Sequence, residues 1–284
     1  MSKVLATGNM GFIGSHLMER LQQDGHWVSG CDIKNMIDIR TYNFHEKYDV
    51  IFHLAANASI PQSIENPIES HSHNVIGTLR ILEYAKKIGA GIVFSSSSSV
   101  YGEPENTPTK ETEPFKPMMP YALNKIECEQ YLWLYWQLYG VKSVILRYFN
   151  VFGEGQENAN GGGDSSLCLA NFLRQYKEKK ELTIVGDGEQ RRDFIYVKDV
   201  VEANLKAAEY LDKAEQLEVF NIGSGINYSV NEVADMIKKE RTYLPPRVEP
   251  KIGLADITKA KELLHWKPQI KLETWIKQQI GGGE

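Results

Sequence analysis

Cysteine is scarce in this sequence: Cys31, Cys128 and Cys168 are the only three in 284 residues, and no two form a C-x-x-C pair. An odd number of isolated cysteines does not fit a disulfide framework and is typical of reduced thiols, which predicts a cytoplasmic protein. Histidines and cysteines also lack the spacing of metal ligands, so we predict no metal site.

Long apolar runs are absent as well. A stretch such as Val50 to Ala56, with His53 inside it, is far below the ~20 residues that a membrane span needs. The chain starts directly with an apolar strand and a glycine-rich turn, so we expect no signal peptide. A net charge of −5 with scattered lysines excludes a strongly basic nucleic-acid surface.

What the sequence does contain is a regular alternation of strands and helices over its first 150 residues. Apolar strands are predicted at 3–6, 27–31, 49–54, 90–94 and 143–148, with long helices at 67–87 and 120–139 between the later ones. This alternation predicts an α/β fold with a doubly wound parallel sheet, the Rossmann architecture.

The pattern changes after Phe152, where a glycine-rich loop and more polar elements follow. We predict a dinucleotide-binding domain over 1–152, to which 196–222 returns, and a smaller intertwined α/β substrate lobe over 153–195 and 223–280. The last four residues, 281–284, are expected to be disordered. The second lobe contains predicted helices at about 166–179, 229–239, 257–264 and 272–280.

Three glycines, Gly8, Gly11 and Gly14, lie between the first strand and its helix. Glycines at this spacing permit a tight turn and let a pyrophosphate approach the helix N-terminus, where free N–H groups and the dipole favour an anion. Asp32 follows the second strand, where a carboxylate would hold the adenosine ribose and repel a 2′-phosphate, which favours NAD over NADP. An ordinary turn for the glycines and a turn cap for Asp32 are the alternatives.

The stretch 95–125 holds the second candidate site: five serines, Ser95 to Ser99, close an apolar strand, and Tyr121 and Lys125 follow. A lysine one helical turn after a tyrosine can stabilise the phenolate and lower a tyrosine pKa of ~10. The same spacing occurs at Tyr176 and Lys180, but there no hydroxyl-bearing strand end precedes it. Tyr121 follows Pro120, which can start a helix.

Taken together, these segments resemble the extended short-chain dehydrogenases/reductases, and specifically nucleotide-sugar epimerases of the UDP-glucose 4-epimerase type. The resemblance covers nearly the whole chain and rests on nine segments in the family's order. They are TGNMGFIGSHL from Thr7, HLAA from 53, NVIGTLRILEYA from 74, FSSSSSVYG from 94, PYALNK from 120, LRYFNVFG from 146, GDGEQRRDFIYVKDV from 186, FNIGSG from 220 and ADITKAKELLHWKP from 255.

The resemblance implies a role for individual residues. Ser97 would hydrogen-bond the reacting sugar hydroxyl, Tyr121 would be the base, and Lys125 would activate it and hold the nicotinamide ribose. The implied NAD contacts are Gly8, Gly11, Phe12, Ile13, Gly14, Asp32, Asp38, Ile39, Leu54, Ala55, Ala56, Asn74, Ser95, Tyr121, Lys125 and Tyr148. The implied contacts with a nucleotide-diphosphate sugar are Ser97, Ser98, Asn150, Arg192, Arg247 and Gly253. A surface ion pair with Asp193 is the alternative for Arg192.

The residues after Ser97 separate the reactions of the family. Dehydratases and decarboxylases carry a carboxyl just after the catalytic hydroxyl, whereas Ser98 and Ser99 stand here. The resemblance therefore implies inversion at C4 through a transient 4-keto sugar, with Gly253 leaving room for an N-acetyl group. A nucleotide-sugar reductase or 4,6-dehydratase, and more remotely a non-catalytic NAD-binding regulator, are the alternatives. The helices at 67–87 and 121–139 are expected to form a four-helix contact in a homodimer.

Overall fold

The computed structural model describes residues 1–156, 168–237 and 240–281. Its centre is a six-stranded, all-parallel sheet with the strand order β2-β1-β3-β4-β5-β9. The strands are β1 (Lys3–Thr7), β2 (Trp27–Cys31), β3 (Val50–His53), β4 (Gly91–Ser97), β5 (Ser143–Tyr148) and β9 (Glu218–Ile222). The chain leaves β1 toward one edge and returns on its other side as β3, so the topological switch point lies between β1 and β3.

Successive strand residues face opposite sides of the sheet, and both sides are buried. Val4, Phe52 and Val93 pack on one face with Leu17 and Leu21 of α1 (Phe12–Gln23) and with α7 (Val197–Leu211). The other face packs against α4 (Gly77–Ile88) and α5 (Pro120–Tyr139). Burial on both faces explains why these strands read as continuous apolar runs rather than as alternating ones.

A smaller lobe is built from the remaining strands. A three-stranded sheet has the order β10-β8-β6, and a parallel pair joins β11 to β7. These strands are β6 (Asn150–Phe152), β7 (Leu182–Val185), β8 (Arg191–Tyr196), β10 (Asn227–Ser229) and β11 (Arg241–Leu244). The helices of this part are α6 (Cys168–Lys177), α8 (Val230–Ile237) and α10 (Leu272–Gln279), whereas α9 (Thr258–Leu263) packs against β9 of the parallel sheet. Phe152, Phe172 and Trp275 lie in the core of the smaller lobe.

One predicted helix is wrong in detail. The expected single helix over 67–87 is preceded by α2 (Ile60–Glu65) and consists of α3 (Pro67–His71), a π-helical turn (Ser72–Ile76) and α4. A π turn inserts an extra residue, which rotates the following side chains relative to a regular helix, and such turns are frequent at functional sites. Hydrophobic periodicity cannot show a one-residue insertion inside a helix.

Most other boundaries agree with the sequence pattern within one to three residues. The predicted helix at 120–139 matches α5 at both ends, because Pro120 occupies its first turn and Gly140, with φ of 69°, follows its last residue. The extended segment after Thr242 is partly a strand, β11, parallel to β7. The predicted loop before 163, the helix start at 166 and the tail at 282–284 lie wholly or partly outside the described residues.

Candidate active site

The glycine-rich turn lies at the switch point of the sheet, against the end of β3. Gly8 has a φ of 71°, a left-handed conformation, and a Cβ on it would lie 2.7 Å from the backbone nitrogen of Ala55. A Cβ on Gly14 would overlap the carbonyl oxygen of Gly8. Only glycine therefore lets the turn, the first helical turn of α1 and the end of β3 approach this closely.

The same turn leaves room for an anion at the start of α1. The N-cap of this helix is Gly11, and within the part of the chain that the structure describes it gives no side-chain cap to the first turn, in which Phe12 and Ile13 lie. A Cβ on Gly11 would meet only the carbonyl oxygen of Gly8, at 3.1 Å. Free N–H groups at a helix N-terminus attract a phosphate. The residues present therefore fit the pyrophosphate of a dinucleotide.

Asp32, which follows β2, is 8% exposed, and its carboxylate accepts hydrogen bonds from the backbone nitrogens of Met10 (3.0 Å) and Lys34 (2.9 Å). It therefore does cap a turn, a 3₁₀ helix (Ile33–Asn35), and it also lies beside the glycine loop. Further along, Asp38 pairs with Arg40 at 2.7 Å, and the hydrogen bond from Arg40 lowers the pKa of Asp38.

Tyr121 and Lys125 lie one turn apart on the buried side of α5, beside the carboxyl end of β4. The Lys125 ammonium donates to the backbone carbonyl of Ser95 at 2.6 Å and lies 5.9 Å from the centre of the Tyr121 ring. The backbone nitrogen of Tyr121 donates to Ser63 Oγ at 3.3 Å. These contacts fix both side chains at the same strand end as Ser97.

Burial controls the protonation of both groups. It raises the pKa of Tyr121 to about 12, against a hydrogen bond with Ser97 that acts in the opposite direction. It lowers the pKa of Lys125 to about 8, although Cys128 and Glu129 oppose that change. Burial is thus the largest influence of this chain on the pKa of Tyr121, and the expectation that Lys125 lowers that pKa stays a prediction.

Ser97 is the last residue of β4 and begins the turn that follows. Its Oγ accepts a hydrogen bond from the backbone nitrogen of Ser99 at 3.2 Å and caps a 3₁₀ helix (Ser98–Tyr101). Because the oxygen already accepts an N–H, its own proton is available to a second acceptor. The Oγ of Ser99 is buried without a hydrogen-bond partner among the described residues.

The side chains of two predicted cofactor residues, Asn74 and Tyr148, hydrogen-bond other residues of the protein. The amide of Asn74, in the π turn, accepts from the backbone nitrogen of Asn57 (2.7 Å) and donates to its carbonyl (3.0 Å). The hydroxyl of Tyr148 hydrogen-bonds Ser95 Oγ (3.0 Å) and Asn204 Oδ1 (2.9 Å). Asn74 thus shapes the loop after Leu54, Ala55 and Ala56, whereas Ile39 is buried against Gly77.

A cavity of about 130 Å³ in the smaller lobe brings together three of the predicted substrate residues, Asn150, Arg192 and Arg247. Arg192 donates to Oε2 of Glu249 at 2.8 Å, and Arg247 donates to the same oxygen at 3.3 Å. Asn150 donates to the carbonyl of Asp193 at 2.9 Å. The cavity is therefore polar and cationic on one side.

The surface pair of Arg192 with Asp193 does not exist. Asp193 is fully buried, and its carboxylate accepts from the backbone nitrogens of Ser224 (2.6 Å), Gly225 (3.0 Å) and Ala255 (3.1 Å). Burial raises its pKa, and these N–H donors oppose that rise. Asp193 therefore joins β8 to the turn after β9. Arg192 does not pair with it and lines the cavity, where it donates to Glu249.

Gly253 lies on the segment that carries Arg247 into the lobe. Its nitrogen donates to the carbonyl of Arg191 at 2.9 Å, and a Cβ there would meet only that oxygen, at 3.8 Å. The neighbouring Leu254 carbonyl accepts from Thr109 at 2.7 Å, which ties this segment to the loop after the Ser97 turn. The position therefore has space for a side chain.

Glu249, Gln190 and Cys168 are among the cavity-lining residues that sequence reasoning missed. Glu249 could have been found from its place two residues after Arg247, since an acid so near an arginine in a Pro-rich stretch suggests pairing. Cys168 and Gln190 carried no signal. Among the described residues there is no group of three or more His, Cys, Asp or Glu side chains that could hold a metal.

The comparisons with known proteins agree with this geometry. The model of the NAD dependent epimerase/dehydratase family matches residues 4–223. The chain is 38% identical to a putative UDP-glucose 4-epimerase of Methanocaldococcus jannaschii, over 98% of this chain and 97% of that protein. The structure resembles UDP-glucose 4-epimerase of Thermotoga maritima, solved with UDP-glucose (TM-score 0.87, 35% identity), and UDP-N-acetylglucosamine 4-epimerase of Methanobrevibacter ruminantium, solved with UDP-N-acetylmuramic acid (TM-score 0.89, 33% identity). Both alignments cover 98% of this chain and 97% of the other.

The sheet, the glycine turn at its switch point and the buried tyrosine–lysine pair define a dinucleotide-dependent enzyme that acts on a hydroxyl group. More narrowly, the chain belongs to the NAD dependent epimerase/dehydratase family. The predicted family, the Rossmann fold class and NAD as the cofactor are thereby confirmed.

Proposed function

We propose that this protein is an NAD-dependent 4-epimerase of UDP-hexoses. The observation that carries the proposal is the meeting of Ser97 and Tyr121 at the end of β4, beside a dinucleotide-binding turn. No carboxyl group follows Ser97, which leaves oxidation and re-reduction of one carbon as the chemistry that these residues support.

Each residue of the site has a defined part in that reaction. Tyr121 takes the proton of the 4-hydroxyl, and Ser97, whose oxygen accepts the Ser99 N–H, donates its own proton in a hydrogen bond to the reacting oxygen. Lys125, fixed by the Ser95 carbonyl, stabilises the phenolate form. Bound NAD supplies the hydride-accepting and hydride-returning chemistry at C4, so the net redox change is zero.

The phenolate has to form in a site where burial holds the pKa of Tyr121 near 12. Bound NAD would add the positive charge of its nicotinamide ring, which would favour the phenolate. The chain's own contribution is to hold Lys125 beside Tyr121, so that its positive charge stabilises the phenolate once it forms, while Ser97 donates to the reacting oxygen of the sugar.

The smaller lobe binds the nucleotide part of the substrate. Arg192 and Arg247 line one cavity with Asn150, and guanidinium groups bind phosphate oxygens in a fork-like geometry. The open space at Gly253 favours acceptance of N-acetylhexosamine nucleotides alongside UDP-glucose and UDP-galactose. The resemblance to a UDP-N-acetylglucosamine 4-epimerase supports the same substrate class.

The test is incubation with UDP-glucose, UDP-N-acetylglucosamine and UDP-glucuronate, separately and without added reductant, followed by chromatographic separation of the products. We expect interconversion of at least one pair of 4-epimers with no net change in the cofactor. Consumption of external NADH would indicate a reductase, and a 4-keto-6-deoxy product would indicate a dehydratase. Either result, or no interconversion at all, would reject the proposal.

We also propose a homodimer formed through α5 and the helices at 60–88. Leu123, Leu134 and Leu138 of α5 are 46%, 40% and 66% exposed and lie on one face of the helix by their spacing. Ile68 in α3, which packs beside α5, is 83% exposed. Large apolar side chains grouped on neighbouring helices are typical of a subunit contact.

A cytoplasmic location is part of the same proposal and is supported by three free cysteines, two of them buried. No helix among the described residues is long and apolar enough to cross a membrane.

A further inference from the structure

Glu129 and Arg147 form an ion pair in the interior, and its position beside the catalytic turn is its most informative property. Both side chains are 4% exposed, and the contacts are two-pronged: Arg147 Nε to Glu129 Oε1 at 3.0 Å and Arg147 Nη2 to Oε2 at 2.6 Å. Desolvation makes such a pair a weak source of stability, because apolar residues of similar volume are often equally stabilising. Stability alone therefore does not explain it.

The pair holds the Ser97 turn from both ends. Before the turn, Ser96 Oγ donates to Glu129 Oε1 at 2.5 Å. After it, Arg147 Nη1 donates to the hydroxyl of Tyr101 at 2.8 Å, and that hydroxyl donates to Asn221 at 2.6 Å. Ser97 itself lies between these two anchored residues, and so do the Ser98 and Ser99 positions.

Glu129 also continues the catalytic face of α5. Tyr121, Lys125 and Glu129 follow one another at intervals of four residues, so their side chains lie on one side of the helix. The negative charge of Glu129 partly offsets the effect of burial on the pKa of Lys125. One carboxylate is thus bonded to the strand that carries Ser97 and lies one helical turn from the lysine.

We propose that Glu129, held by Arg147, is a positioning residue that fixes the Ser97 turn relative to Tyr121 and Lys125. Glu129 touches neither substrate nor cofactor in this scheme; it acts through Ser96 and through Arg147 on Tyr101. A turn held at both ends keeps the Ser97 hydroxyl within reach of the reacting oxygen, and a misplacement of about 1 Å can cost on the order of 100-fold in rate. The inference rests on the proposed function.

Two variants test it in the NAD-loaded enzyme. Ser96→Ala removes one hydrogen bond to Glu129 and leaves every buried charge paired. The double variant Glu129→Leu with Arg147→Met removes the whole pair without leaving a lone charge, which protects the fold. Ser143→Ala is the matched control, since Ser143 is a serine of 1% exposure at the opposite end of the strand that carries Arg147.

The readout is the reduction of bound NAD by UDP-sugar in a single turnover, measured over a range of sugar concentrations. We expect the limiting rate to fall roughly tenfold in Ser96→Ala, the equivalent of one hydrogen bond to a charged group. In the double variant we expect the limiting rate to fall on the order of 100-fold. The half-saturating sugar concentration should change less than about twofold, since the phosphate-binding residues are untouched, and Ser143→Ala should match wild type.

The positioning role is overturned if folded Ser96→Ala and the double variant reduce NAD at the wild-type rate. It is also overturned if they lose rate only in proportion to a lower affinity for the sugar. A wild-type enzyme that reduces its NAD but yields no 4-epimer would reject the proposed function and leave this measurement valid. No reduction in the wild type would reject both.

Discussion

Arg192 and Arg247 donate to the same oxygen of Glu249, at 2.8 and 3.3 Å. Two guanidinium groups on one carboxylate leave a net positive charge at the cavity that also contains Asn150. The side chains of Arg192 and Glu249 are only 15% and 19% exposed, so solvent screens that charge weakly. In the proposed function, this charge would attract the diphosphate of the substrate.

Removing one arginine should therefore weaken substrate binding more than it slows the chemistry. In Arg192→Met we expect KM for the UDP-sugar to rise roughly 10- to 100-fold, the range for one hydrogen bond to a charged group. The value of kcat should fall only a few-fold, because Arg192 is proposed to bind the diphosphate and takes no part in the proton transfer at Tyr121. Steady-state kinetics check this, with Arg20→Met, a surface arginine paired to Asp24 and Glu202, as the control. A large fall in kcat at unchanged KM would contradict it.

Tyr121→Phe should abolish turnover and leave NAD bound. The substitution removes one hydroxyl, so the buried ring keeps its packing while the base is lost, a change worth at least ~100-fold in rate. The matched control is Tyr176→Phe. Tyr176 has the same Tyr-x-x-x-Lys spacing, but its hydroxyl donates to the carbonyl of Ile280. Cofactor content by absorbance and product formation by chromatography give the two readings. Activity near wild type in Tyr121→Phe would exclude the tyrosine as base.

His53 should make the protein sensitive to acid. Its ring is fully buried between Thr7 Oγ1 (2.7 Å) and Thr78 Oγ1 (3.0 Å), and burial lowers its pKa from 6.5 to about 3. Below its unfolded pKa the unfolded chain binds a proton that the folded chain does not. The stability that the neutral ring contributes is therefore complete above pH 6.5 and declines as pH falls toward 3, by about 1.4 kcal/mol per pH unit.

Urea unfolding at several pH values between these limits measures that slope. We expect His53→Gln to unfold with a shallower dependence on pH than wild type, even if it is less stable overall. His45→Gln, an exposed histidine, should keep the wild-type slope. Equal slopes for all three proteins would show that His53 is not responsible.

Gly253→Tyr should separate the two substrate classes. The Cβ has space, with its nearest neighbour at 3.8 Å, so a larger side chain fits the backbone here, and in the proposed function it would lie beside the sugar. We expect activity on UDP-N-acetylglucosamine to be lost while activity on UDP-glucose persists, whereas Gly253→Ala should keep both. Competition assays with the two sugars measure the ratio, and equal loss on both would rule out a size-limiting role.

Leu134→Glu should dissociate the proposed dimer. A charge in the centre of the exposed leucine face of α5 would be buried without a partner in the assembly, which is strongly unfavourable. Sedimentation should show that this variant is a monomer. The control is Ile33→Glu, which should remain dimeric, because Ile33 is an apolar residue of 60% exposure that lies outside the helices of the proposed contact. A monomeric wild type would reject the proposed contact directly.

Much of the fold could be predicted because the sheet is buried on both faces. Continuous apolar runs such as Ile92 to Phe94 mark its strands, and Pro120 and Gly140 mark both ends of α5. The serines at the strand end and the tyrosine–lysine spacing point to the stretch 95–125, and the family resemblance implies Ser97 among those serines. Their short sequence separation made this possible.

Interactions between distant segments could not be predicted in the same way. The partner of Arg192 is Glu249, 57 residues away, and nothing in the intervening chain reveals which carboxylate a strand arginine meets. The π turn around Asn74 likewise depends on the tertiary hydrogen bonds of that side chain with Asn57 rather than on helix propensity. The pKa of Tyr121 follows from desolvation, which only the packed structure determines.

The sixth strand of the parallel sheet, β9, has a consequence for how the chain is made. It pairs with β5, from Val144–Glu218 to Tyr148–Ile222, although β6, α6, β7, β8 and α7 are all encoded between them. During synthesis the edge of β5 stays without its neighbour until residues 218–222 leave the ribosome. An apolar strand edge is a template for association with other chains. We therefore expect the nascent protein to be most prone to aggregation while the ribosome translates residues 149–222.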